Sequence, residues 1–190
     1  MPERPRIAVH PERAPGWVRD AVAAGGADVV DDVAAAEALI WADPRDVEGL
    51  RTLLMSGGAG VRWVQLPWAG VERFALAGLF EDGRTWTCGK GVYAEEVAEH
   101  ALALALAGFR DLPERVRATS WGPQSGRSLL GARVAILGGG GITASLLRLL
   151  GPFRVTTTVV RRDASSPVEG AARTVGPDRL HDALDGADLV

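Results

Sequence analysis

The sequence predicts an α/β protein built from parallel sheets with helices on both faces, and three observations predict it. Short apolar runs alternate with amphipathic segments from Arg6 onward, the order expected of βα units joined by crossovers. The run Arg133-Val-Ala-Ile-Leu-Gly-Gly-Gly-Gly-Ile-Thr-Ala-Ser-Leu-Leu-Arg-Leu-Leu150 breaks at glycines and resumes with helical periodicity, so it reads as strand, turn and helix. A composition of 47% hydrophobic and 24% charged residues is that of a globular chain, neither disordered nor fibrous.

In chain order, the first unit opens with a strand at Arg6 to His10, a helix at Gly16 to Ala24 and a strand at Ala27 to Val30. A strand at Ala38 to Trp41, a helix at Pro44 to Met55 and a strand at Val61 to Leu66 follow. A short helix at Val71 to Leu79 and a short strand at Thr85 to Thr87 complete it. Tyr93 to Arg110 is a long helix with Glu95, Glu96 and Glu99 in its first half, where acidic groups suit the positive end of the helix dipole. Beyond His100 it is apolar nearly all round, which predicts burial on most sides, as between two domains or two subunits. Periodicity is lost from Asp111 to Gly131, where Pro113, Gly122, Pro123, Ser125 and Gly126 accumulate, so this stretch reads as a connection. The second unit has a strand at Arg133 to Leu137, a helix at Ile142 to Leu150 and a strand at Val155 to Val160. A polar loop, a helix at Asp178 to Leu184 and the start of a third strand at Asp188 to Val190 follow.

Bulk properties exclude several classes of function. A formal net charge of -3 offers no electrostatic footprint for nucleic acid. Cys88 is the only cysteine, so an intrachain disulfide and a thiolate zinc site are both excluded. The segment Met1 to Trp17 mixes prolines and charges where a signal peptide needs an apolar stretch. The longest apolar run, Ala101 to Phe109, is too short to span a bilayer. These features lead us to expect a soluble cytoplasmic protein with no membrane and no nucleic-acid partner.

The glycine turn is the chemically informative feature. Glycines let a backbone approach a pyrophosphate, and the N–H groups of the following helix point at its charge. Gly138 and Gly140 supply two positions of the G-x-G-x-x-G pattern, with Gly141 and Ile142 opening the helix, but Thr143 stands at the third. On the loop alone, a dinucleotide site and an ordinary glycine-rich βα turn are equally supported.

The order of the pieces resembles the D-isomer-specific 2-hydroxyacid dehydrogenases. Three segments carry the resemblance: Arg62-Trp-Val-Gln-Leu-Pro-Trp-Ala-Gly-Val71, Gly89-Lys-Gly-Val-Tyr-Ala-Glu-Glu-Val-Ala-Glu-His-Ala-Leu-Ala103, and Leu130-Gly-Ala-Arg-Val-Ala-Ile-Leu-Gly-Gly-Gly-Gly-Ile142. The resemblance implies a flavodoxin-like substrate domain over residues 1–93 and an interdomain helix and linker over 94–130. The N-terminal half of a Rossmann nucleotide-binding domain would follow over 131–190. It also implies hydride transfer between NAD(P)H and a small 2-keto or 2-hydroxy acid, and a homodimer formed through the helix near residues 94–110.

By the same resemblance, the backbone N–H groups of Ala69, Gly70 and Val71 would hold the substrate carboxylate, and Cys88 would line the nicotinamide pocket. Independently, Pro-Trp-Ala-Gly after a strand is a turn whose amides can form an anion nest. Without the resemblance it reads as an ordinary turn, and Cys88 as a small buried hydrophobe. His100 reads as structural, the family's Glu-His pair at this helix not being its acid/base, and His10 and His181 have no evident carboxylate partner. At the end of the second nucleotide-domain strand, an acid would bind the ribose of NAD and an arginine the extra phosphate of NADP. Arg161 and Arg162 stand there, which favours NADP over NAD; counting favours Arg161, and a shift of one residue favours Arg162. Thr143 requires either an outward shift of its helix or a hydrogen-bond partner for its hydroxyl.

Proton transfer in such a reaction needs a base, a cation and a group that tunes the base. The resemblance places these, a His, an Arg and a Glu, beyond Val190. A C-terminally truncated fragment, half of a split enzyme completed by a C-terminal fragment, and a non-catalytic cofactor-binding or dimerising scaffold are the expectations that compete. An S-adenosylmethionine-dependent methyltransferase would expect an acid where the two arginines stand.

Overall fold

The computed structural model describes residues 4–190; Met1 to Glu3, the start of the charged N-terminal segment, lie outside them. The chain divides into two compact units, Met1–Lys90 and Gly91–Val190, each with its own core.

The first unit is a five-stranded sheet of β1 (Arg6–His10), β2 (Asp28–Val30), β3 (Ala38–Trp41), β4 (Trp63–Gln65) and β5 (Thr85–Thr87). The order is β2-β1-β3-β4-β5 and every pairing is parallel, which is the flavodoxin-like arrangement. Parallel strands are covered on both faces, and Ala8, Val9, Leu39 and Val64 are accordingly inaccessible to solvent. Ala8, Leu39 and Val64 pack with Leu50 and Leu54 of α2 (Val47–Ser56) and Phe74 of α3 (Glu72–Leu76); α1 (Gly16–Ala24) lies between β1 and β2 in the chain. Helix α2 begins three residues later than the apolar pattern suggests. The Asp43 carboxylate accepts from the N–H groups of Arg45 and Asp46, folding Pro44 into a turn, and Asp46 then caps the helix through the Gly49 N–H at 2.8 Å.

The second unit opens with α4 (Ala94–Phe109) and α5 (Leu112–Arg117), followed by β6 (Arg133–Leu137), α6 (Gly141–Leu150), β7 (Thr156–Val160), β8 (Arg173–Val175) and α7 (Leu180–Leu184). Its sheet runs β6-β7-β8, all parallel, and a parallel bridge joins Val134 to Leu189. Phe109, Leu129, Ala132, Val134 and Leu150 form its main core.

The structure departs from the sequence expectation at three places. The stretch read as a polar loop after Val160 contains β8, too short to show alternation in sequence but paired Val160 to Val175. Residues 188–190 are therefore the fourth strand position of this sheet, not the third, and Leu189 lies on the opposite side of β6 from β7, giving the Rossmann order 3-2-1-4. Within the connection 111–131, residues 112–117 form a short helix, where Pro113 is tolerated because it sits in the first turn. In α4 the residues that the chain itself buries are Ala98 and Phe109, and Leu104 is 61% exposed. One face packs on α6 and the core, and His100, expected in a buried helix, is exposed.

Candidate functional site

In the second unit the candidate site lies at the carboxyl edge of β6 and β7. Gly138 leaves β6 with φ of +112°, a conformation open to glycine, and its N–H donates to the Val160 carbonyl at 2.8 Å. A Cβ on Gly139 would lie 3.0 Å from Val168 Cγ2 and 3.1 Å from Arg161 Cδ, so a larger residue fits only if these side chains give by a few tenths of an ångström. A Cβ on Gly140 would meet nothing within 4 Å, and one on Gly141 only Ala94 Cβ at 3.5 Å. Gly140 is the N-cap of the ten-residue α6 and contributes no capping side chain. The start of this helix at Gly141 and Ile142, both exposed, is thus open to solvent. That is the arrangement an anionic phosphate requires.

Thr143 departs from the glycine pattern without disturbing the turn. It is 6% exposed, and its hydroxyl donates to the Gly138 carbonyl at 2.7 Å, so of the two expected resolutions the hydrogen-bond partner is the one found. Thr143→Val keeps the shape but leaves that carbonyl without its partner. We expect a loss of about 1 kcal/mol in the stability of the 91–190 unit, restored by Thr143→Ser, as measured by urea unfolding followed by circular dichroism.

The two arginines differ in situation. Arg161 is half-buried, its stem lies over Gly139, and its guanidinium donates to the Ser166 carbonyl at 3.1 Å. Arg162 is exposed and, among the described residues, forms no ion pair. Sequence reasoning missed Asp163, whose carboxylate accepts from the hydroxyl and the N–H of Ser165. These hydrogen bonds, the hydroxyl's first, hold its pKa below the ordinary value, with Arg161 assisting. The Asp-x-Ser spacing of an Asx turn was its signal.

In the first unit the loops at the carboxyl ends of β4 and β5, which carry Ala69, Gly70 and Val71 and Cys88 and Gly89, approach each other at Pro67 and Gly89. The Leu66 N–H donates to the Thr87 carbonyl at 2.8 Å. A Cβ on Gly89 would lie 2.5 Å from the Pro67 carbonyl oxygen, so only glycine allows the two loops this approach. The N–H groups of Ala69, Gly70 and Val71 have no acceptor among the described residues, which leaves them available to an anion. The exposed Glu72 carboxylate stands 3.2 Å from where a Gly70 Cβ would lie and must turn away for an anion to enter. Cys88 is half-buried against the hydrophobic core. A side-chain chain that sequence reasoning missed braces these strands: Trp63 Nε1 donates to Thr87 Oγ1, which donates to Gln65 Oε1, each at 2.6 Å.

No helix among the described residues is long and apolar enough to cross a membrane. No protein-family model matches the sequence. A protein of Corynebacterium melassecola, described as an uncharacterized protein in the proB 3' region, is 33% identical over 135 residues, covering 68% of this chain and 44% of that protein. Among solved structures, a D-isomer specific 2-hydroxyacid dehydrogenase family protein from Aeromonas salmonicida superposes with a TM-score of 0.74 at 19% identity, covering 98% of this chain and 63% of its own. A D-isomer specific 2-hydroxyacid dehydrogenase from Xanthobacter autotrophicus, in complex with NADPH and MES, gives 0.73 at 18% identity, with 97% and 62% covered. The NAD+-bound 3-phosphoglycerate dehydrogenase of Entamoeba histolytica gives 0.66 at 16% identity, with 99% and 63% covered. The chain has the fold of these dehydrogenases along nearly its whole length and spans less than two thirds of theirs.

Proposed function

We propose that this chain belongs to the D-isomer-specific 2-hydroxyacid dehydrogenases, and that it supplies their substrate domain, interdomain helix and the first half of the nucleotide-binding domain over residues 1–93, 94–130 and 131–190. The observation that carries this reading is the open N-terminus of α6 behind Gly138, on a sheet whose order suits a dinucleotide. When bound, the nicotinamide cofactor supplies or accepts the hydride. The residues of this chain bind and orient: Gly138, Gly140, Gly141 and Ile142 shape the phosphate cradle, Cys88 contributes to the nicotinamide pocket, and the amides of Ala69, Gly70 and Val71 take the carboxylate of a small 2-keto or 2-hydroxy acid.

The cofactor we assign is NADP, with NAD as the alternative. Arg162, exposed and without an ion pair among the described residues, takes the 2'-phosphate, while Arg161 is committed to Ser166 and walls the glycine loop. In calorimetric titrations, NADPH should bind more tightly than NADH, and Arg162→Gln should lower NADPH affinity about ten-fold while sparing NADH. An equal loss for both cofactors, or none for NADPH, overturns the assignment.

We expect none of the three histidines to serve as the general base. His10 Nε2 lies 3.0 Å from the Asp31 carbonyl oxygen, and His100 and His181 are exposed on helices. We therefore expect the 190 residues alone to bind cofactor without reducing glyoxylate or hydroxypyruvate, turnover requiring a complementing C-terminal region. The exposed apolar side of α4, with Val97 and Leu104, supports a homodimer through residues 94–110. It is also the observation that favours the second reading, a dimerising scaffold, which predicts dimers that bind neither cofactor. A cytoplasmic setting completes the proposal.

A further inference from the structure

Away from these loops, the first unit has a second crevice at the carboxyl ends of β1 and β3. The sheet order β2-β1-β3-β4-β5 makes this the topological switch point, where the chain departs in opposite directions from neighbouring strands and leaves a gap suited to ligands. A cavity of about 510 Å³ opens there, lined by residues including His10, Glu12, Arg13, Trp41, Asp46 and Leu53. None belongs to the loops assigned above.

Its lining is of both signs. Trp41 is 2% exposed, and its Nε1–H is the buried side-chain polar atom without a hydrogen-bond partner among the described residues, a state that costs free energy until an acceptor arrives. Arg13 pairs with Asp43 across the rim, but its side chain is 68% exposed and a guanidinium retains further donors. Asp46 spends Oδ1 on the Gly49 N–H, which leaves Oδ2, and Glu12, which also lines the cavity, is exposed. Leu53 adds an apolar wall.

We infer that this crevice binds a small zwitterion, an α-amino acid with a short apolar side chain. Its carboxylate meets Trp41 Nε1–H and Arg13, its ammonium meets Glu12 and Asp46 Oδ2, and its side chain rests on Leu53. Because Trp41 Nε1 lies beneath the surface, the rim at residues 11–13 shifts as the carboxylate enters. The inference does not depend on the dehydrogenase reading.

The test is titration of the 15N-labelled chain with L-alanine, with acetate and ethylammonium as probes of either charge alone. The Trp41 indole N–H resonance, assigned by its loss in Trp41→Phe, should shift saturably with L-alanine, at affinity about ten-fold or more above either single ion, and Glu12→Gln should weaken L-alanine about ten-fold. No shift, acetate binding as well as L-alanine, or Glu12→Gln binding unchanged each overturns it. Should Trp41→Phe fail to fold, calorimetry with the same three probes on the unsubstituted chain and on Glu12→Gln separates the same outcomes.

Discussion

Gly140→Asp leaves the second unit folded and lowers its NADPH affinity by about 100-fold or more. Gly140 has φ of -97° and ψ of -166°, an extended conformation that any residue adopts, and its Cβ would meet no atom within 4 Å. Aspartate is also a good N-cap, so its carboxylate can accept from the first turn of α6 and stabilise the helix by a few tenths of a kcal/mol over glycine. The same carboxylate then holds the position proposed for the pyrophosphate. Two unit charges about 4 Å apart near a protein surface repel by roughly 4 kcal/mol, so a loss of about 100-fold is a conservative expectation. Gly140→Ala, neutral and equally accommodated, separates charge from bulk and should bind far more tightly than the aspartate variant. Unchanged NADPH affinity in Gly140→Asp would mean that this turn cradles no phosphate.

Phe74→Ala costs the first unit about 3–5 kcal/mol. Phe74 is 1% exposed and is the largest of the fully buried side chains, packed in the same core as Leu39, Leu50 and Leu66. Truncation removes its burial and leaves a cavity that the surrounding parallel strands cannot close. The loss is a large fraction of the roughly 5–15 kcal/mol that holds an ordinary domain. Functional consequences should precede global unfolding, because the N–H groups of Phe74 and Ala75 both donate to the Val71 carbonyl and so fix the start of α3 against the 67–71 turn. Urea unfolding followed by tryptophan fluorescence measures this unit, since Trp17, Trp41, Trp63, Trp68 and Trp86 lie in it and only Trp121 lies in the other. A loss below about 1 kcal/mol would show that the core repacks around the gap.

Most of the fold was legible because its signals are local. Five- and four-residue apolar runs at Arg6–His10, Ala38–Trp41 and Arg133–Leu137 announce buried parallel strands, and glycines at 138–141 announce a turn into a helix. Strand β8 was not legible, since Arg-Thr-Val is too short for any period to show and exists as a strand only because β7 offers a partner. The start of α2 was misplaced because apolar periodicity does not register that Asp43 captures the amides of Arg45 and Asp46. For α4, composition shows that the helix is apolar, and only packing shows how much of it the rest of the chain covers.

The class of architecture, two βα units in series, and the position of the glycine turn are written in local pattern, because backbone preference and apolar periodicity depend on near neighbours along the chain. Tertiary structure decided the rest. It set the sheet orders, moved residues 188–190 to the far side of β6, joined the Thr143 hydroxyl to the Gly138 carbonyl, and distinguished Arg161, tied to Ser166, from Arg162, without an ion pair among the described residues. Each of these depends on which groups meet across space. A hydrogen bond or ion pair is settled by distances of a few ångströms between segments that no local pattern links.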